Sequence, residues 1–185
     1  MRYSATAQRK FREAVLYVAR ESEKDPRCGK TKLFKILFYA DFAAYRRRRK
    51  AITGWTYRKA DFGPVPDQAS AAIEEMVAEG LCAWAERDCF GYRQKKLLAL
   101  REPNLDLFSG EEIDLLARTV QDLWSMTARE VSDLSHRFSG WLAAEMGEEI
   151  PYSTVFVGEP RALTADEQAW AEGAWDAYLE EKRSA

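Results

Sequence analysis

A few groups of residues in this chain are of types that could do chemistry, and each has a plainer reading. Ser135-His136 sets a nucleophile beside a base, but neighbouring residues on a helix project about 100° apart, and no third group is placed to orient the imidazole. The pair is better suited to fixing local hydrogen bonds. Cys28-Gly29-Lys30-Thr31 contains the Gly-Lys-Thr of a phosphate loop, yet Lys24 stands where that motif needs its first glycine and no strand precedes it. A helix start is the expected reading. Cys28, Cys82 and Cys89, with the single histidine His136, lack the paired spacing of a zinc site, and three cysteines form no disulfide framework. Neither a metal nor a cofactor is expected. The carboxylate pairs Glu111-Glu112, Glu148-Glu149 and Glu180-Glu181 are consecutive, so they diverge rather than converge on a substrate, and are expected on solvated faces. No constellation for an enzyme emerges. The basic run Arg46-Arg47-Arg48-Arg49-Lys50 is different, because cations closing a helix suit its dipole and also make an anion-binding edge.

The elements that must position these residues come from a chain of 185 residues, 46% hydrophobic and 31% charged, enough for one globular core with or without a helical appendage. The N-terminus lacks the apolar stretch of a signal peptide and nothing approaches a membrane span, so a soluble, cytoplasmic protein with no membrane partner is expected. Charge is uneven. Residues 1–60 carry 17 Lys/Arg against 5 Asp/Glu, and residues 61–185 carry 11 against 25. A basic half of this kind meets nucleic acid, an acidic protein, or the chain's own acidic half.

Apolar spacing predicts a first helix over residues 9–22, broken at Asp25-Pro26-Arg27-Cys28-Gly29. Thr31 then caps a second helix that is apolar nearly all round, the mark of a central helix, and that ends within residues 46–50. Trp55-Thr56-Tyr57 is β-prone. Gly63-Pro64-Val65-Pro66 forces an extended turn, after which Asp67 caps a third helix burying Ala72, Ile73, Met76 and Val77 and stopping at Gly80. Strands are expected over 81–86 and 92–100 as a hairpin around residues 87–91. Three capping boxes announce further helices: Ser109 with Glu112, Thr127 with Glu130, and Thr164 with Glu167. The second of these buries Val131, Leu134 and Phe138. The fold class is therefore mainly α: a compact helical domain with a small β-hairpin, in winged-helix-like order, and a C-terminal helical arm. The expected division is 1–151 for the domain and 152–185 for the extension.

That order allows a DNA-binding regulator whose third helix enters the major groove and whose wing offers Arg93, Lys95 and Lys96. The charges oppose it. No Lys or Arg occurs from Asp61 through Glu86, and the reading helix would set Asp67, Glu74, Glu75 and Glu79 against phosphates.

Three blocks of the sequence resemble a known family. Lys32-Leu33-Phe34-Lys35-Ile36-Leu37-Phe38-Tyr39-Ala40-Asp41 is similar to the opening of the Panacea antitoxin domain, the SocA-like family that includes phage-associated GepA-like proteins. Ile52 to Tyr57 leading to Phe62-Gly63-Pro64-Val65-Pro66 resembles its central signature, and Ala128 to His136 with Trp141 its late one. Together they span roughly residues 10–152. The resemblance implies a mostly helical domain that neutralises a cognate protein toxin, usually encoded adjacently, by direct binding and without catalysis. It also brings in delivery of the toxin to a protease, the SocA-type mode, as a variant within the family. The signature positions it marks are Lys32, Lys35, Tyr39, Asp41, Tyr57, Gly63, Pro64, Pro66, Ser135, His136 and Trp141.

Physically these look like scaffold. Gly63 permits backbone angles closed to other residues, Pro64 and Pro66 stiffen the turn, and Asp41 needs a donor such as Tyr57 or a backbone amide. Ser135 and His136 supply a second polar lock. Partner specificity is then expected outside the signature, at Arg46, Arg47, Arg48 and Arg49 and at Trp170, Trp175 and Tyr178 of the arm. Trp170, Ala174 and Tyr178 also follow the spacing of a single core-facing stripe.

Overall fold

Ser4 starts the first helix by accepting a hydrogen bond from the Ala7 amide at 3.1 Å, and α1 runs Ala5–Glu21. The computed structural model describes residues 3–89, 91–158, 164–166, 168–170 and 173–175. After α1 the chain turns through residues 22–29 into α2, Lys30–Arg48. This helix is buried on almost every side, with α1, α4 (Gly110–Asp122) and α5 (Ala128–His136) packed against it, as its all-round apolar sequence requires. Its cap is Gly29 rather than Thr31. Gly29 lies in extended backbone with no side-chain hydrogen bond, and Thr31 falls inside the first turn.

Two short antiparallel pairs flank the helices, so the fold is mainly α with small β-hairpins. In the first, β1 (Tyr57–Arg58) pairs with β2 (Val65–Pro66), placing Tyr57 opposite Pro66. Two residues per strand are too few to show periodicity, so this pairing was not expected around the Gly-Pro-Val-Pro turn. α3, Ala69–Ala78, follows it and is capped by Gln68 in the left-handed region, without a side-chain bond. Asp67 does not cap it; it pairs with Arg58 at 3.1 Å and gives its carbonyl to the Trp55 indole. The second pair, β3 (Cys82–Cys89) with β4 (Tyr92–Ala99), runs three residues beyond the expected end of its first strand.

The capping boxes at Ser109/Glu112 and Thr127/Glu130 are both formed, and they open α4 and α5. Glu167 of the third lies outside the described residues; Thr164 accepts from the Gln168 amide through its carbonyl. α5 buries Val131, Ser132 and Ser135, so the face assignment shifts: Leu134 is exposed. A short helix α6, Ser139–Ala143, and a 3-10 segment, Tyr152–Phe156, follow. Glu112 also departs from a solvated face. It is buried in an ion pair with Lys10 at 2.9 Å and with Arg48 at 3.1 Å, and this joins the basic first half to the acidic second.

Candidate protein-binding face

The three signature blocks meet at Gly63. Its φ of +89° is open to glycine, and a Cβ there would stand 2.0 Å from the Ser135 hydroxyl and 2.8 Å from Lys35 Cε. One position thus touches the opening block through Lys35 and the late block through Ser135. Lys35 is fully buried and donates to the Pro64 carbonyl at 2.8 Å, and burial pulls its amine down to about 7. Ser135 donates to the Ser132 carbonyl one turn back, at 2.8 Å. His136 stacks on Trp141 with ring centres 4.2 Å apart, and Lys59 lies over the other ring at 4.2 Å. The Trp141 indole donates to the Ala60 carbonyl. The Ser135 hydroxyl is spent on the Ser132 carbonyl and the imidazole Nε2 is buried without a hydrogen-bond partner, so the two are not arranged as nucleophile and base, and His136 is held by stacking rather than by the local hydrogen bonds expected of it.

Asp41 forms a second knot at the middle of the core. Its carboxylate accepts from the Thr53 amide and the Tyr57 hydroxyl at 2.8 Å each, from the Thr53 hydroxyl, and from Tyr152 at 3.3 Å. Burial pushes this carboxyl up, and the donors act against that push. Phe38 and Phe42 pack edge-on against Tyr57, and Tyr152 also donates to the Trp55 carbonyl at 2.6 Å. Tyr39 sits half-buried beside Phe38.

Two buried lysines hold the segment between α1 and α2. Lys32 pairs with Asp25 at 2.6 Å and donates to the Met126 carbonyl at 2.8 Å, while Lys96 donates to the carbonyls of Ser22, Glu23 and Asp25 at 3.0, 2.6 and 2.7 Å. Lys96 is therefore not a wing cation as the sequence suggested, because its ammonium is enclosed by backbone oxygens. Nothing about a lysine in a strand announces that role; it depends on carbonyls more than 70 residues away in the chain. The segment so fixed carries Arg27, Gly29 and Lys30 to the edge of a cavity of about 800 Å³, whose other walls are Arg93, Gln94 and Lys95 of β4 and Thr127, Ala128 and Arg129 at the start of α5.

At the far end of α2 the basic run is partly occupied. Arg48 meets Glu112 and, at 3.8 Å, Glu111, and Arg49 covers the Phe156 ring at 3.5 Å, leaving Arg46, Arg47 and Lys50 exposed. Trp170 and Trp175 are 76% and 61% exposed, so Trp170 does not belong to a buried stripe; Tyr178 lies outside the described residues. Along α3 and at its C-cap the outward positions are Glu74, Glu75 and Glu79, the last paired with Arg12, an acidic face turned toward solvent. Duplex phosphates would be repelled there. Cys28 and Cys82 are buried free thiols, and burial raises both. No helix among the described residues is long and apolar enough to cross a membrane.

Signature polar groups turned inward, and charged or apolar groups left at the edges, define a scaffold that presents a surface. The chain belongs to the family described as antitoxin SocA-like, Panacea domain, whose model matches residues 33–142. No curated protein and no solved structure matches it.

Proposed function

We propose that this chain is the antitoxin of a toxin–antitoxin pair, acting in the cytoplasm by binding a cognate protein toxin encoded beside it, and that it catalyses nothing itself. Family membership supports an antitoxin-type role. The observation that carries the binding reading is the convergence on Gly63: Lys35, Ser135 and the Pro64 carbonyl satisfy or crowd one another in the interior, so the signature builds a frame rather than an open reaction site. A frame of fixed polar locks with variable edges suits recognition of a particular protein. The site residues at those edges are Arg46, Arg47, Arg49, Trp170 and Trp175, together with the frame's own exposed rim.

Co-expression with the adjacent open reading frame tests this. That product alone should arrest growth, and the present chain should restore growth and co-elute with it on size exclusion. A harmless neighbour, or rescue without a complex even in a protease-deficient host, would sink the reading. The toxin's level in the rescued cells separates two modes: a constant level means sequestration, and a fall that a protease-deficient host abolishes means delivery to a protease.

A further inference from the structure

The basic cavity at the start of α2 is electrostatically unusual within its own fold. Elsewhere many cations of the first half are answered: Lys10, Arg12, Arg20 and Arg48 are paired with carboxylates, Lys32 and Lys35 are buried on fixed acceptors, and Arg46 and Arg47 suit the C-terminal pole of their own helix. Around the cavity Lys30, Arg93 and Lys95 are exposed and form no ion pair among the described residues, Glu86 standing across the strand pair from Lys95 without closing one, and Arg129 reaches Asp133 only at 3.9 Å. Glu130 is nearby, but its carboxylate accepts from the Thr127 amide at 2.7 Å and closes its own helix cap. Lys30 and Arg129 also stand in the first turns of α2 and α5, where the helix dipole opposes positive charge. Such an arrangement costs stability unless an anion joins it.

Beside this cavity, sharing Thr31, Ala128 and Arg129 with it, is a depression of about 490 Å³ lined in part by Phe62 of the signature turn. Phe62 is 70% exposed. Its neighbours in that depression include Asp61, Asp133 and His136. A nucleic-acid strand carries a phosphate at each step and would meet those two carboxylates on leaving the cations; a peptide can place acidic side chains in one half and an apolar one in the other. We propose that this face is a docking surface for a protein segment that carries clustered Asp or Glu side chains into the cavity of Arg27, Lys30, Arg93, Lys95 and Arg129 and sets an apolar side chain against Phe62. The partner's identity rests on the antitoxin reading; the segment's chemistry does not.

The test uses the full chain in two arms. In the first, anisotropy at low salt follows a fluorescein-labelled peptide of alternating glutamate and leucine, with labelled oligouridylate of equal length beside it. The peptide should bind, with affinity falling steeply with salt; the double variant Arg93→Glu/Lys95→Glu should weaken it by ~10-fold or more, and Phe62→Ala should weaken it without changing the salt dependence. Arg9→Glu/Arg118→Glu, two exposed cations away from this face, should leave it unaltered. In the second arm the same variants, each checked for a parental melting curve, are titrated against the neighbouring gene's product and should rank in the same order. Peptide binding with that ranking, beside a neighbour that forms no complex even with the parent chain, would uphold the face and remove the antitoxin reading. Oligouridylate binding in preference to the peptide, absence of peptide binding, or a toxin complex indifferent to both Phe62→Ala and Arg93→Glu/Lys95→Glu would overturn the proposal.

Discussion

At its C-terminal end α2 presents Arg46, Arg47 and Arg48 to carbonyls that carry the negative pole of the helix, so these cations stabilise the element they sit on. At its N-terminal end the same helix begins with Lys30, no acidic residue accompanies it in the first turn, and Arg27, Arg93, Lys95 and Arg129 stand around it. Positive charge at one end follows from helix physics, and at the other end runs against it. A basic run read from sequence at residues 46–50 is conspicuous because it is contiguous. The cluster at the start of α2 is assembled from three separate segments and is the one that the helix dipole does not explain.

The largest expected effect breaks the frame on which the N-terminal end rests. Gly63→Val places a branched side chain at positive φ and drives its Cβ into Ser135, whose hydroxyl is fixed inside α5. A loss of more than ~4 kcal/mol is expected, read by thermal or urea melting of the isolated protein. A variant that melted like its parent yet lost its partner would make the turn a contact surface in its own right.

Next in size is Lys96→Met. It leaves three carbonyls of the segment between α1 and α2 without their common donor, at about 1–3 kcal/mol for each buried acceptor left unsatisfied, with part recovered by the apolar replacement. A net loss of about 3 kcal/mol is expected, and hydrogen exchange should quicken in residues 22–29 before it does in the C-terminal turn of α2. Arg49→Ala, which removes only the stack on Phe156, should cost no more than about 1 kcal/mol. Equal losses from the two would mean that both ends are held in the same way.

Lys35, in the N-terminal half of the helix, gives the comparison a pH dependence. Its amine is held near 7 by burial in the folded protein and returns to the ordinary lysine range near 10.5 on unfolding. Between those values the unfolded chain binds the proton and the folded one does not, so stability rises with pH, by up to about 1.4 kcal/mol per unit. The rise should be visible from about pH 7 to 8.5, below the range in which the buried thiols of Cys28 and Cys82 act in the opposite sense. Lys35→Met should flatten it. A melting temperature already independent of pH in the parent chain would show that the amine keeps its proton.

How much of this could be read beforehand depends on the range over which each feature is encoded. The capping boxes at Ser109 and Thr127 need residues three apart, and α2 announced itself by apolar residues on every face; both were legible. Asp41 was legible as a buried acid needing donors, because an aspartate within an apolar helix leaves few alternatives. The caps Gly29 and Gln68 were not, since each is defined by backbone angles rather than by a side-chain bond, and sequence favoured the better side-chain acceptors Thr31 and Asp67. Lys32 and Lys96 were misleading for another reason. Their residue type predicts solvent, and only the folded chain shows the Asp25 carboxylate and the loop carbonyls that replace it. The Phe62 depression and basic cavity were hidden in the same manner, their walls lying in sequence at residues 27–31, 61–62, 93–95 and 127–136.

The smallest effect is the most direct probe of the difference between the two ends. Lys30→Glu exchanges a cation for an anion in the first turn of α2, at an exposed position beside Arg27, whereas Arg47→Glu makes the same exchange at an exposed position in the last turn. Each alters the interaction with the helix dipole and with neighbouring cations by a few tenths of a kcal/mol, and the signs are opposite. Lys30→Glu should raise stability by ~0.5 kcal/mol, and Arg47→Glu should lower it by a similar amount, both effects shrinking as salt is added. If the proposed docking is right, Lys30→Glu should also be the variant that folds better and binds worse, the signature of a charge held in place against the preference of its own helix. Destabilisation by Lys30→Glu would instead show that its contact over the Phe34 ring, at 5.7 Å, outweighs the dipole, and the N-terminal cations would then need no partner to account for them.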